Sequence, residues 1–97
     1  MISIIIAAYN EEKRITPSLF KIKDYMDSQG VDYEIIVVDD GSNDRTSGVV
    51  RDVIPEIPHL SVIRYEVNRG KGYALKTGVL ASKGDVVLLS ELTSLSL

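Results

Sequence analysis

Four short apolar runs, Ile2–Ala8, Tyr33–Val38, Leu60–Tyr65 and Val86–Leu89, recur along the chain, and the stretches between them carry apolar residues at helical spacing. Near-continuous runs rich in β-branched residues suit strands buried on both faces, which is the environment of parallel sheets. Joining two parallel strands requires a crossover of a dozen or more residues, and a right-handed helical connection supplies it. The alternation therefore predicts an α/β fold: an open, mostly parallel sheet in βαβαβαβ order with helices on both faces.

Local signals set the expected boundaries. Thr16-Pro17 reads as an N-cap followed by proline at the first helical position, and Leu19, Ile22 and Met26 carry the pattern on to Gly30, a natural helix stop; the first helix is expected over 16–29. Asp39-Asp40-Gly41-Ser42 breaks the second strand, and Val49, Val50 and Val53 mark the apolar face of a second helix ended by Pro55. Gly70 to Gly72 reads as a turn, with Ala74, Leu75 and Val79 as the buried side of a third helix.

With 97 residues the chain has enough length for one core, so residues 1–97 are read as one unit with a divergent tail at 90–97. The net charge of −3 and the scatter of the eleven Lys and Arg residues argue against a nucleic-acid partner. The lack of cysteine removes disulfides, thiolate chemistry and cysteine-based zinc sites, which fits a reducing compartment, and the sole histidine, His59, lacks a partner. No apolar run approaches the ~20 residues needed to span a bilayer. The expected location is cytoplasmic, including a peripheral position at the cytoplasmic membrane face.

In an open parallel sheet, ligands bind beyond the carboxyl ends of the strands. The segments expected there are Ala8 to Glu12, Asp39 to Asp44, Asn68 to Gly72 and Ser90 to Thr93, so four polar clusters should converge. Tyr9 offers an aromatic face for a planar base, and Glu11 and Glu12 offer carboxylates for a ribose; the alternative is a turn leading into the first helix with solvated glutamates. Of two adjacent carboxylates on a strand, one must face the crevice, so Asp39 or Asp40 could accept an imide N–H of a base. The same stretch could instead cap the second helix through Ser42 or Asp44. Asn68-Arg69-Gly70-Lys71-Gly72 sets two cations and two glycines before a helix, where backbone amides favour anions such as a diphosphate; an exposed basic turn is the alternative. Glu91 is a single carboxylate where a metal would need more, and a solvated residue is the favoured reading.

Together, Ala8-Tyr9-Asn10-Glu11-Glu12, Val37 to Thr46, and Asn68-Arg69-Gly70-Lys71-Gly72 with Ala74, Leu75 and Gly78 resemble the ordered signature of family 2 glycosyltransferases of GT-A fold. The resemblance covers residues 2 to about 89 and is nearest to the branch acting on polyprenyl phosphates, dolichyl-phosphate β-glucosyltransferases among them. It implies the Rossmann-like, nucleotide-sugar-binding amino-terminal half of such an enzyme, which transfers a hexose from a donor of UDP-glucose or GDP-mannose type to a lipid-phosphate or glycan acceptor. By the family pattern Ala7, Tyr9 and Glu11 contact the nucleoside, Val38 and Asp40 hold the base, and Lys71 lies near the diphosphate. The family's metal pair, which binds Mg²⁺ or Mn²⁺, falls on Glu91 and Thr93, and threonine cannot replace the second carboxylate. The catalytic base is expected beyond residue 97. Two outcomes follow: the donor-binding part of a working transferase, or a non-catalytic nucleotide-binding or self-associating remnant. A receiver-like α/β module is a third reading and leaves Asn68 to Gly72 unexplained. An open sheet edge implies a homo-oligomer.

Overall fold

The computed structural model describes the backbone of residues 1–91 and the side chains of residues 1–90. Four strands, β1 (Ile2–Ala8), β2 (Tyr33–Asp40), β3 (Leu60–Tyr65) and β4 (Val86–Glu91), alternate with three helices, α1 (Ile15–Gln29), α2 (Thr46–Val53) and α3 (Lys71–Ala81). All pairings are parallel and the sheet order is β3-β2-β1-β4. The expected open α/β sheet is thus realised. Strand order reverses between β1 and β4, which makes the carboxyl ends of these two strands the switch point of the sheet.

The strand residues divide by parity between two apolar layers. Ile4, Ile6, Ala8, Ile35 and Val37 face α1 and α2 and pack with Ile15, Leu19, Met26, Val50 and Val53. Ile5, Ile36 and Val38 face α3 and pack with Ala74. Helices therefore cover both faces, as buried β-branched strands require. The α3 layer is thin because α3 lies very close to the sheet: a Cβ added at Gly78 would sit 2.2 Å from Cγ2 of Ile5.

Four local expectations change. Helix α1 starts at Ile15 with Arg14 at the cap position and no side-chain cap bond, so Thr16 lies inside the first turn. The carbonyl of Glu11 accepts from the N–H groups of both Arg14 and Ile15, and this turn swings the chain so that Ile15 is fully buried. Pro17 is tolerated within the first turn, where N–H groups have no helical acceptor. Strand β2 runs through Asp39 and Asp40, which pair in register with Arg64 and Tyr65, and breaks only at Gly41. Val79 is exposed; the buried face of α3 is Ala74 and Gly78, one turn apart, with Leu75 beside them. Gly72 belongs to α3 itself. Gly30 does terminate α1 in the left-handed conformation, and Pro55 follows α2 in a short 3₁₀ turn over Ile54–Glu56.

Beyond Glu91 the expected tail and Thr93 lie outside the described residues. Val86, Leu88 and Leu89 of β4 are largely exposed, and among the described strands β4 pairs with β1 alone.

Candidate functional site

Strand parity at the end of β2 sends two buried carboxylates to opposite faces. Asp39 falls on the α1 and α2 face and is fully buried. Its Oδ1 accepts the backbone N–H of Ser42 at 2.9 Å, while Oδ2 has no hydrogen-bond partner and lies 3.7 Å from Nε of Arg64. Arg64 also donates from Nη2 to the carbonyl of Ser42 at 3.3 Å. Both polar groups of the Ser42 backbone are therefore held from this one face.

Asp40 falls on the α3 face and is 4% exposed. Four donors converge on its carboxylate: the Tyr65 hydroxyl at 2.6 Å and the Arg69 N–H at 2.8 Å on Oδ1, the Asn68 side-chain amide at 3.0 Å and the Gly70 N–H at 3.0 Å on Oδ2. The Asn68 amide also reaches the Asp40 carbonyl at 3.0 Å. A buried carboxylate costs several kcal/mol unless its lone pairs are satisfied, and charge-assisted bonds of this kind are the strong ones. Here the β3–α3 segment supplies every partner. Tyr65 is affected in turn: burial, then the bond to Asp40, push its hydroxyl pKa far above the ordinary 10.

The segment after β1 is laced to the segment after β2. Asn10 takes a left-handed conformation at φ 52° and donates its N–H to Oγ of Ser42 at 2.8 Å, while its own Oδ1 accepts from Asn43 N–H at 2.8 Å. Glu11 N–H donates to Oγ1 of Thr46 at 2.9 Å and Glu12 N–H to Oδ2 of Asp44 at 3.3 Å. Asp44 also accepts Thr46 N–H at 2.9 Å in a turn just ahead of α2, whose cap position is Arg45 with no side-chain cap bond, so neither Asp44 nor Ser42 is the cap; Ser42 instead serves the β1 segment. Burial alone would raise the Asp44 pKa, yet the Thr46 hydroxyl and the amides of Thr46 and Glu12 outweigh it and hold the carboxyl below its ordinary 3.8.

Three of the four polar segments thus meet at one lip of the sheet, tied to each other by hydrogen bonds. The fourth is represented by Glu91, whose backbone pairs in register with Ala7 at the switch point; its side chain and Thr93 lie outside the described residues. Ala7 also pairs with Val38. Tyr9 is 44% exposed just beyond β1, so its ring is open to a ligand. Lys71 opens α3 directly after Gly70. Glu11 does not offer a bare carboxylate, because the Arg14 guanidinium grips both its oxygens, with Nε at 2.7 Å. Two amides expected to face an outside anion, those of Arg69 and Gly70, are already taken by Asp40. Sequence reasoning passed over Tyr65 and Arg64, although the period of two in a strand places Tyr65 on the face of Asp40 and Arg64 on that of Asp39. It also passed over Tyr73, whose ring meets Tyr65 edge-on at 5.4 Å and carries the Arg69 guanidinium at 5.3 Å.

Among the described residues no group of three or more His, Asp or Glu side chains could hold a metal ion. Asp39 and Asp40 do not fit that role: one is sealed from solvent beside an arginine, and the other has its oxygens filled by N–H and O–H donors.

Residues 3–90 match the family model for glycosyl transferase family 2. A dolichyl-phosphate beta-glucosyltransferase of Trichomonas vaginalis is 37% identical over 93 residues, which is 91% of this chain and 29% of that protein. The mannosyltransferase PcManGT of Pyrobaculum calidifontis, solved with GDP-Man and Mn²⁺, superposes with a TM-score of 0.78 at 29% identity, covering 94% of this chain and 27% of its own. TarS 1-349 of S. aureus, solved with UDP-GlcNAc, gives 0.77 at 29% identity, over 94% of this chain and 26% of its own. The chain therefore spans under a third of the relatives it matches. A doubly covered parallel sheet, the three interlocked segments at its carboxyl edge and a family match over nearly the whole length together show that this chain belongs to glycosyltransferase family 2.

Proposed function

We propose that this chain is the donor-binding part of a glycosyltransferase that moves a hexose from a nucleotide diphosphate sugar to a polyprenyl-phosphate or glycan acceptor. The observation that carries this reading is the junction of the segments after β1, β2 and β3 beside the switch point, with Tyr9 exposed and two cations, Arg69 and Lys71, at the start of α3. A nucleoside would rest against Ala7, Tyr9 and Val38, with Glu11 and Asp40 around it and Lys71 toward the diphosphate. The neighbours solved with GDP-Man and with UDP-GlcNAc support a donor of UDP or GDP type. The dolichyl-phosphate relative supports a lipid-phosphate acceptor, met at the cytoplasmic membrane face. Mn²⁺ in a neighbour supports a divalent cation, Mg²⁺ or Mn²⁺, with the diphosphate, for which Glu91 is the carboxylate in register with Ala7. That cation would offset diphosphate charge.

The test is calorimetric and thermal titration of the chain with UDP and GDP, with and without Mn²⁺. Binding that tightens with metal supports a working donor site. Absence of any melting shift at millimolar nucleotide would favour the second reading, a non-catalytic remnant. The apolar edge of β4 also supports self-association into a homo-oligomer, which a concentration-independent monomer mass in light scattering would rule out.

A further inference from the structure

Glu11 is fixed from three directions. Its N–H donates to Oγ1 of Thr46, its carbonyl accepts from Arg14 and Ile15, and its carboxylate receives the Arg14 guanidinium through Nε at 2.7 Å and through Nη2. The Glu11 side chain is 15% exposed and that of Arg14 59%, so the carboxylate lies inward and the guanidinium outward. An exposed ion pair of this kind contributes little to stability, but a two-bond fork fixes the plane of the carboxylate. It occupies one lone pair on each oxygen, and a carboxylate has about four. The pair lines a cavity of about 340 Å³ at the lip of the sheet. Asp44 borders the same cavity, but its carboxylate is already occupied by Thr46 and by the amide of Glu12.

We propose that Arg14 is a positioning residue of the donor site: it holds the Glu11 carboxylate in one plane and leaves its open lone pairs as an acceptor for the vicinal hydroxyls of a ribose. The proposal rests on the donor-site reading, which sets Glu11 beside the nucleoside. Because the acceptor is oriented before the ligand arrives, little side-chain freedom is lost on binding. The arginine also cancels the charge of the carboxylate, so Glu11 serves the ribose without repelling the adjoining diphosphate. Lysine at position 14 would keep that charge and lose the planar fork. Orientation and charge are therefore separable.

The experiment compares wild type with Arg14→Lys in calorimetric titrations with UDP, 2′,3′-dideoxy-UDP and inorganic pyrophosphate. Wild type is expected to bind UDP about 10-fold or more tighter than the dideoxy ligand, the effect of hydrogen bonds to a charged acceptor. In Arg14→Lys this preference should fall to about 2-fold, while pyrophosphate binds as in wild type and the melting temperature stays within error. A melt lowered together with the affinity for all three ligands would defeat the proposal, because it would mark a part played in folding alone. A preference that Arg14→Lys leaves intact would overturn it too, and would point to Glu12 as the hydroxyl acceptor. So would equal binding of UDP and the dideoxy ligand by wild type, with the donor-site reading still standing. The clamp is also read in the free chain: the Arg14 Nε proton should exchange with water about 10-fold more slowly than that of the exposed Arg51, and Glu11→Gln should remove most of the difference. Equal exchange at the two arginines in wild type defeats the proposal whatever the ligands do. If wild type binds neither UDP nor pyrophosphate, the donor-site reading fails and the proposal falls with it.

Discussion

The backbone of Gly41 runs so close to Asn68 that a Cβ on Gly41 would lie 2.4 Å from the Asn68 nitrogen. Gly41 also holds φ +71°, a region costly for residues with a Cβ. Both constraints arise where β2 ends and the chain must turn without pushing away the segment that wraps Asp40. Gly41→Ala is therefore expected to cost about 2–4 kcal/mol, from left-handed strain plus overpacking against main chain that cannot yield. Urea denaturation should show a lower midpoint with an unchanged slope. A midpoint within error of wild type would mean that the turn and Asn68 are not in contact.

Gly78 and Gly72 lie on the same helix and should respond to alanine with opposite signs. A Cβ at Gly78 meets Cγ2 of Ile5 at 2.2 Å, and Ile5 is fully buried in the middle strand pair, so α3 must lift from the sheet. Overpacking of about 1–3 kcal/mol outweighs the gain of about 1 kcal/mol in helix propensity. At Gly72 nothing lies within 4 Å, so only the propensity gain remains. Thermal melts should place Gly72→Ala above wild type and Gly78→Ala below it.

The sheet was legible because β-branched runs and their spacing leave few alternatives, and the four strands lie where the apolar runs lie. Which polar segments would meet was legible for the same reason: topology alone delivers the ends of parallel strands to one edge. What was illegible depends on contacts between segments distant in sequence. Asp40 bonds to residues 25 to 30 positions away, and no local signal tells a carboxylate awaiting a ligand from one already capped by its own chain. Thr16-Pro17 misled for a related reason. Capping propensity was outweighed by the burial of Ile15, which set the cap at Arg14, two residues earlier than the local rule places it. Val79 misled because α3 packs through its smallest residues, and a hydrophobicity pattern favours large side chains over glycine.

Arg64 is the only ion-pair partner found for Asp39 among the described residues, and it lies at the outer limit of such a pair, 3.7 Å from Oδ2. Arg64→Met would leave a fully buried carboxylate without its counter-charge and release the Ser42 carbonyl. Breaking a buried pair costs about 3–5 kcal/mol. The third of the Arg64 side chain that remains exposed reduces this to about 1–2 kcal/mol. The double variant Arg64→Met/Asp39→Asn should recover part of the loss, because the buried charge is removed along with its partner. A double-mutant cycle with no coupling between the two sites would show that the pair contributes nothing.

Acid should unfold the chain through carboxylates that the fold holds ionised. Burial opposes ionisation at Glu34, but the hydroxyl of Ser3 and the amide of Lys83 outweigh it and bring its pKa below the ordinary 4.5, as their counterparts do at Asp44 below 3.8. A group whose folded pKa is depressed binds fewer protons when folded. Its stabilisation is therefore complete above the unfolded value and is lost as pH falls through the folded one. Stability from these two groups should hold steady down to about pH 5 and decline below about pH 4.5. Asp44→Asn should flatten the lower part of that decline, because asparagine cannot titrate, while reducing stability at neutral pH by weakening the turn it shares with Thr46 and Glu12. Urea midpoints taken at half-unit steps from pH 7 to pH 2.5 measure both effects. A decline equally steep in Asp44→Asn and in wild type would assign the acid sensitivity to other carboxylates.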